Sequence, residues 1–203
     1  MKHAFILFSL LIAFAGCQRA VPQSAVPAGI SYLPREAWGA NAPVLAMQPH
    51  KISRITIHHT ATRQNPAKPL GDKMLALQKF SQNEGSLADG RTKPAWADVP
   101  YHLYLDCNGA VAEGRDIDYA GDSNTAYDPA GHLLVVVEGN FSAEELTEKQ
   151  RLTLEELVPA LAKRYHVAAD SIGGHQDFAQ TQCPGTELYA LLPQLRQLVA
   201  SQR

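Results

Sequence analysis

The segment Gly174-His175-Gln176-Asp177-Phe178-Ala179-Gln180-Thr181-Gln182-Cys183-Pro184-Gly185 sets an imidazole and a thiol on one short loop bounded by glycine and proline. Far upstream, Ile55-Thr56-Ile57-His58-His59-Thr60 supplies two more imidazoles. Two histidines and a cysteine suit Zn²⁺. Three protein ligands leave one tetrahedral position for water, which a hydrolytic centre needs and a structural one closes. Neighbours on a strand point to opposite faces, so only one of His58 and His59 can share an ion with His175 and Cys183. A competing reading is a Cys107–Cys183 disulfide, which would remove the thiolate. Asp177 is either a partner that orients His175 or the start of an Asx turn.

Such a site needs rigid elements beneath it. Lys51 to His58, with Ile52, Ile55 and Ile57, reads as a strand that delivers His58 at its end. Lys73 to Asn83 carries Met74, Leu77 and Phe80 at helical spacing, with Gly85 as its expected C-cap. Tyr101-His102-Leu103-Tyr104-Leu105 alternates, and Asn108-Gly109 predicts a hairpin into Ala110–Glu113. Leu133-Leu134-Val135-Val136-Val137 predicts a strand buried on both faces. Thr147-Glu148-Lys149-Gln150 predicts a capping box for a helix reaching Tyr165, with a kink or break at Pro159. A last helix, Glu187 to Ala200, meets the same obstacle at Pro193. The expected architecture is a single α/β domain, a central mixed sheet flanked by helices.

The net charge of −2 over 203 residues gives no basic footprint for nucleic acid. At the N-terminus, Lys2 and His3 precede the apolar run Ala4–Phe14, the layout of a secretory signal. Ala15-Gly16-Cys17 resembles a bacterial lipoprotein processing site, with Phe14 where such sites more often carry Leu. The expectation is a signal over 1–17, a lipid on Cys17 as membrane anchor, a tether over 18–30 and a domain over 31–203. Gln18 in place of Asp points to the outer membrane, facing the periplasm. An ordinary signal peptide cut nearby is the competing reading.

Read in chain order, Pro34-Arg35-Glu36-Ala37-Trp38-Gly39-Ala40, Ile57-His58-His59-Thr60-Ala61, Asp98-Val99-Pro100-Tyr101-His102, Gly109-Ala110-Val111-Ala112-Glu113-Gly114-Arg115, Glu138-Gly139-Asn140-Phe141 and the Gly174–Gly185 loop resemble the zinc N-acetylmuramoyl-L-alanine amidases of the peptidoglycan recognition protein and T7 lysozyme type. The resemblance implies one zinc held by His58, His175 and Cys183, with His59 beside it. It places the active-site tyrosine at Tyr101. Thr181 stands where the phage enzymes carry Lys and the recognition proteins Thr, as a donor to the developing oxyanion. Glu113 and Arg115 support the fold or line the groove, and Asn140 and Phe141 (with His59) are candidate substrate contacts. The implied reaction is zinc-assisted cleavage of the bond joining N-acetylmuramic acid to L-alanine, in peptidoglycan or its fragments, by a monomer in the cell envelope. Competing functions are a peptidoglycan-binding lipoprotein without activity, an envelope protein whose zinc is closed by His59 or Asp177 as fourth ligand, and an amidase directed at another cell's wall.

Overall fold

The computed structural model describes residues 25–87 and 90–202. Cys17 and the expected signal lie outside them. The strands are β1 (Tyr32–Leu33), β2 (Arg54–His59), β3 (Gly85–Ser86), β4 (Thr92–Lys93), β5 (Leu103–Leu105), β6 (Val111–Glu113), β7 (His132–Val137) and β8 (Ile172–Gly174). The helices are α1 (Leu70–Ser81), α2 (Glu148–Tyr165) and α3 (Thr186–Ala200). Six strands form one sheet in the order β1, β6, β5, β7, β2, β8, and β3 pairs with β4 separately. Only β5 and β6 run antiparallel in the large sheet. The fold is the single α/β domain with a mixed central sheet that the sequence predicts.

Both faces of the sheet are covered, and this accounts for the unbroken apolar run of β7, whose six residues are all buried. On one face Ile55, Ile57, Leu133, Val135 and Val137 pack with Leu154, Leu157, Leu161, Leu188 and Leu195 of α2 and α3. On the other, Tyr104, Ala112 and Val136 pack with Trp38 and with Met74 of α1. Val26 and Ile30 belong to the first cluster, so the packed body takes in residues 25–30, which the sequence reading assigned to the tether.

Local signals account for much of this. Thr147 accepts from the Gln150 amide at 3.1 Å and the Gln150 side chain accepts from Thr147 N–H, the predicted capping box. Asn108-Gly109 turns β5 into β6, with Gly109 at φ 85°. Three expectations shift. α1 begins at Leu70 and stops at Gln82, so Gly85 is a strand residue rather than the cap. β2 runs through His59, one residue further than predicted. Pro159 and Pro193 lie inside continuous helices. A proline inside a helix costs about 3 kcal/mol, and full burial of Leu154, Leu157, Val158 and Leu161 outweighs it in α2.

His102, 1% exposed, shows how burial sets the acid limit of this fold. Its Nδ1 accepts from the Leu134 amide at 2.9 Å and its Nε2 donates to the Tyr119 carbonyl at 2.9 Å, which dictates a neutral ring. Burial pulls its pKa from 6.5 to about 3 against the smaller raising effect of the Tyr119 bond. The unfolded chain therefore takes up a proton near pH 6.5 that the folded chain refuses until about 3. This contribution is complete above the unfolded pKa and is lost as pH falls toward the folded one. Denaturant midpoints should drop across that window and drop less steeply in His102→Gln; equal slopes would contradict the assignment.

Candidate metal centre

The motif Pro34–Ala40 acts at a distance by bracing the segment that carries Tyr101. Trp38 Nε1 donates to the Glu113 carbonyl at 2.7 Å, Arg35 Nη1 to the Gly114 carbonyl at 2.8 Å, and Arg35 pairs with Asp98 at 2.8 Å. Arg115, its side chain 2% exposed, donates Nε to the Val99 carbonyl at 2.8 Å and Nη1 to the Ala120 carbonyl at 2.6 Å, and it pairs with Asp122. Gly114 is required by close approach, because a Cβ there would meet the Tyr101 carbonyl oxygen at 2.2 Å. Glu113 and Arg115 thus support the fold, one of the two roles the sequence left open, and they fix the backbone on either side of Tyr101.

Alternation along β2 separates its histidines. His58 faces the α1 side, its ring centroid 4.5 Å from that of His175 and 5.2 Å from that of Tyr101. His59 faces the other way, where its Nδ1 accepts from the Phe141 amide at 3.3 Å. Its backbone N–H donates to Cys183 Sγ at 3.3 Å and so aims the thiol. Cys183 Sγ lies 3.7 Å from His58 Nδ1. Both Cys183 and Cys107 are free thiols, so the disulfide reading does not hold. Donor atoms of His58, His175 and Cys183 all lie within 4.8 Å of one another.

The protonation states suit a metal. Burial, aided by the neighbouring His175, holds the His58 imidazole well below its ordinary pKa. Burial, then His59, lowers His175 to about 4. Both rings therefore offer lone pairs at neutral pH. Burial pushes the Cys183 thiol up to about 12 against the lowering effect of the His59 amide, so an ion must displace that proton as it binds. His58 Nε2 is buried without a hydrogen-bond partner. Zinc binds imidazole and thiolate at about 2.0–2.3 Å, which places donors up to about 4 Å apart, close to the spacing here. The residues fit a zinc ion.

The remaining predicted residues divide. Tyr101 sits against His58, and burial, with Cys183 and Tyr127 nearby, keeps its phenol protonated far above neutral pH. Thr181 Oγ1 accepts from the Cys183 amide at 3.2 Å and so shapes the loop that carries the thiol. Asp177 accepts from the Gly174 amide at 2.9 Å and from the Tyr189 hydroxyl, which engages its carboxylate away from His175. Asn140 lies in a turn, its Oδ1 accepting from Ser142 N–H at 3.3 Å. Phe141 is 1% exposed, in the core cluster that includes residues of α2 and α3. His59 is 8% exposed and bonded to Phe141 and Cys183 as described.

Two site residues escape sequence reasoning. Thr125 Oγ1 lies 2.7 Å from His175 Nε2, and the Tyr127 ring lies 5.0 Å from the His175 ring with its hydroxyl buried and unpartnered. The run Ser123-Asn124-Thr125-Ala126-Tyr127-Asp128-Pro129 reads only as a turn-rich loop.

Fold and site together define an α/β domain with a candidate His-His-Cys metal centre on one face of its sheet. Residues 48–186 match the N-acetylmuramoyl-L-alanine amidase family, and the chain belongs to that family. It is 28% identical over 171 residues to the human N-acetylmuramoyl-L-alanine amidase, an alignment covering 78% of this chain and 27% of the human protein. The chain thus spans about a quarter of that relative. It is 24% identical over 182 residues to the Drosophila melanogaster peptidoglycan-recognition protein SC2, covering 89% of this chain and 91% of that protein. The crystal structure of Drosophila peptidoglycan recognition protein SD superposes with a TM-score of 0.67 at 25% identity, covering 81% of this chain and 94% of the other.

Proposed function

We propose that this chain is a zinc-dependent amidase that hydrolyses the bond between N-acetylmuramic acid and L-alanine in peptidoglycan or its fragments. The observation that carries the reading is a cluster of three donors, His58, His175 and Cys183, beside the partly buried Tyr101. His59 and Asp177, the candidates for a fourth ligand, are engaged elsewhere, which disfavours a closed structural zinc.

His58, His175 and Cys183 would hold the zinc ion, which would act as a Lewis acid towards the scissile carbonyl and lower the pKa of a water. Tyr101 stays protonated and donates a hydrogen bond to the nucleophile or the carbonyl oxygen, steering attack. Thr181 accepts a backbone N–H, which leaves its own hydroxyl hydrogen free to donate to the developing oxyanion. The low dielectric that keeps His58 and His175 neutral also strengthens these hydrogen bonds.

The proposal extends to location: export and a lipid on Cys17, with the domain facing the periplasm. A Cys17→Ala chain that still fractionates with the outer membrane would count against that anchor.

Purified protein beginning after Cys17 should digest peptidoglycan, stop when chelated and recover on addition of Zn²⁺. A folded, zinc-loaded protein that binds peptidoglycan and releases nothing would replace this reading with the binding-only one.

A further inference from the structure

We propose that Thr125 is a positioning residue of the metal centre, holding His175 in the tautomer and ring orientation that offer Nδ1 to an ion; this rests on the metal reading above. The Thr125 Oγ1–His175 Nε2 separation of 2.7 Å is that of a good hydrogen bond. A neutral imidazole carries one N–H, so whichever nitrogen holds it is lost as a ligand.

The hydroxyls of the loop admit either nitrogen, and the metal reading selects between the two arrangements. Ser123 Oγ accepts from the Thr125 amide at 3.1 Å and lies 2.7 Å from Thr125 Oγ1. With the Thr125 hydroxyl donating to Ser123, its oxygen accepts from His175 Nε2–H. Nδ1 then keeps its lone pair free for an ion. The reverse arrangement, with Ser123 donating to Thr125 and Thr125 donating to His175 Nε2, uses the same atoms but leaves the proton on Nδ1, where it would block an ion; the metal reading therefore selects the first.

The loop that presents Thr125 is anchored at several points. Asp122 pairs with the buried Arg115, Tyr127 N–H donates to the Thr125 carbonyl at 2.9 Å, and Arg91 donates to the Asn124 carbonyl at 3.3 Å. Arg115 also holds the Val99 carbonyl ahead of Tyr101, so one buried guanidinium supports both the phenol and the threonine. The two imidazoles differ in this respect: His58 Nε2 has no hydrogen-bond partner, and its ring is flanked by Tyr101 and His175.

Partners that orient a metal-binding histidine are typically worth about 10–100-fold in metal affinity. Thr125→Val keeps the shape and deletes the oxygen, whereas Thr125→Ser keeps the oxygen. Competition with a chromophoric chelator should show zinc affinity weakened about 10–100-fold in Thr125→Val and largely restored in Thr125→Ser. Metal-free melting curves of the variants serve as the folding control. Nitrogen NMR of ¹⁵N-histidine-labelled, metal-free protein gives an independent readout. His175 should be the Nε2–H tautomer in the wild type and shift toward a mixture in Thr125→Val. Unchanged zinc affinity and an unchanged tautomer in Thr125→Val would overturn the proposal, as would equal weakening in both variants. Wild-type protein that takes up no zinc would sink the metal reading itself, while the nitrogen spectra would still decide whether Thr125 sets the His175 tautomer.

Discussion

Cys183→Ala should abolish zinc binding and hydrolysis together while leaving a folded chain. The thiol is one of three donors within 4.8 Å of one another. Losing a residue that merely orients a ligand costs about 10–100-fold in metal affinity, so losing a ligand outright should cost more. The backbone around it has other supports, because the Cys183 carbonyl accepts from Gln176 N–H at 2.8 Å and the Cys183 amide donates to Thr181. Zinc at 100 times its dissociation constant stabilises a folded protein by about 2.7 kcal/mol. Wild-type melting should therefore rise on zinc addition and Cys183→Ala melting should not. A variant that keeps stoichiometric zinc, or keeps a zinc-dependent rise in melting, would remove Cys183 from the site.

Lys73→Met should destabilise the fold by about 3–5 kcal/mol, the usual cost of breaking a buried ion pair by removing one partner. The Lys73 ammonium, 5% exposed, lies 2.7 Å from Glu138 Oε2 and 3.5 Å from Asp106 Oδ2, both carboxylates being 4% exposed. Burial alone would lower its pKa, but the hydrogen bond and charge of Glu138, with Asp106 and Cys107, raise it instead. Glu138 also accepts from the Cys107 and Asn65 amides, and Asp106 accepts from those of Asn108 and Ala110. Against a typical domain stability of about 5–15 kcal/mol, the loss should be plain in the urea midpoint. A change below about 1 kcal/mol would mean that the carboxylates, not the cation, hold α1 to the ends of β5 and β7.

Sequence periodicity read the sheet well because burial and alternation act residue by residue. The apolar run Leu133–Val137 has no polar position, so it had to be covered on both faces. The pair His58-His59 had to split across the sheet. Chain ends and proline effects were harder, since they depend on what packs behind them. Pro159 does not break α2, which buried leucines hold together, and the Gly85 cap gave way to a short hairpin with β4. Nothing in the sequence singles out Lys73, because its partners lie at the ends of two strands remote in sequence. Thr125 illustrates the general limit at the site. Ligands carry distinctive residue types, whereas a hydroxyl that orients one looks like any other loop residue until the fold brings it to 2.7 Å.

The most direct test of the amidase reading is the identity of the bond broken. Peptidoglycan incubated with zinc-loaded protein should release stem peptides that begin at a free L-alanine amine, seen by mass spectrometry and absent from the chelated control. Stem peptides that stay attached to the sugar, with cleavage at another bond or none, would contradict the account.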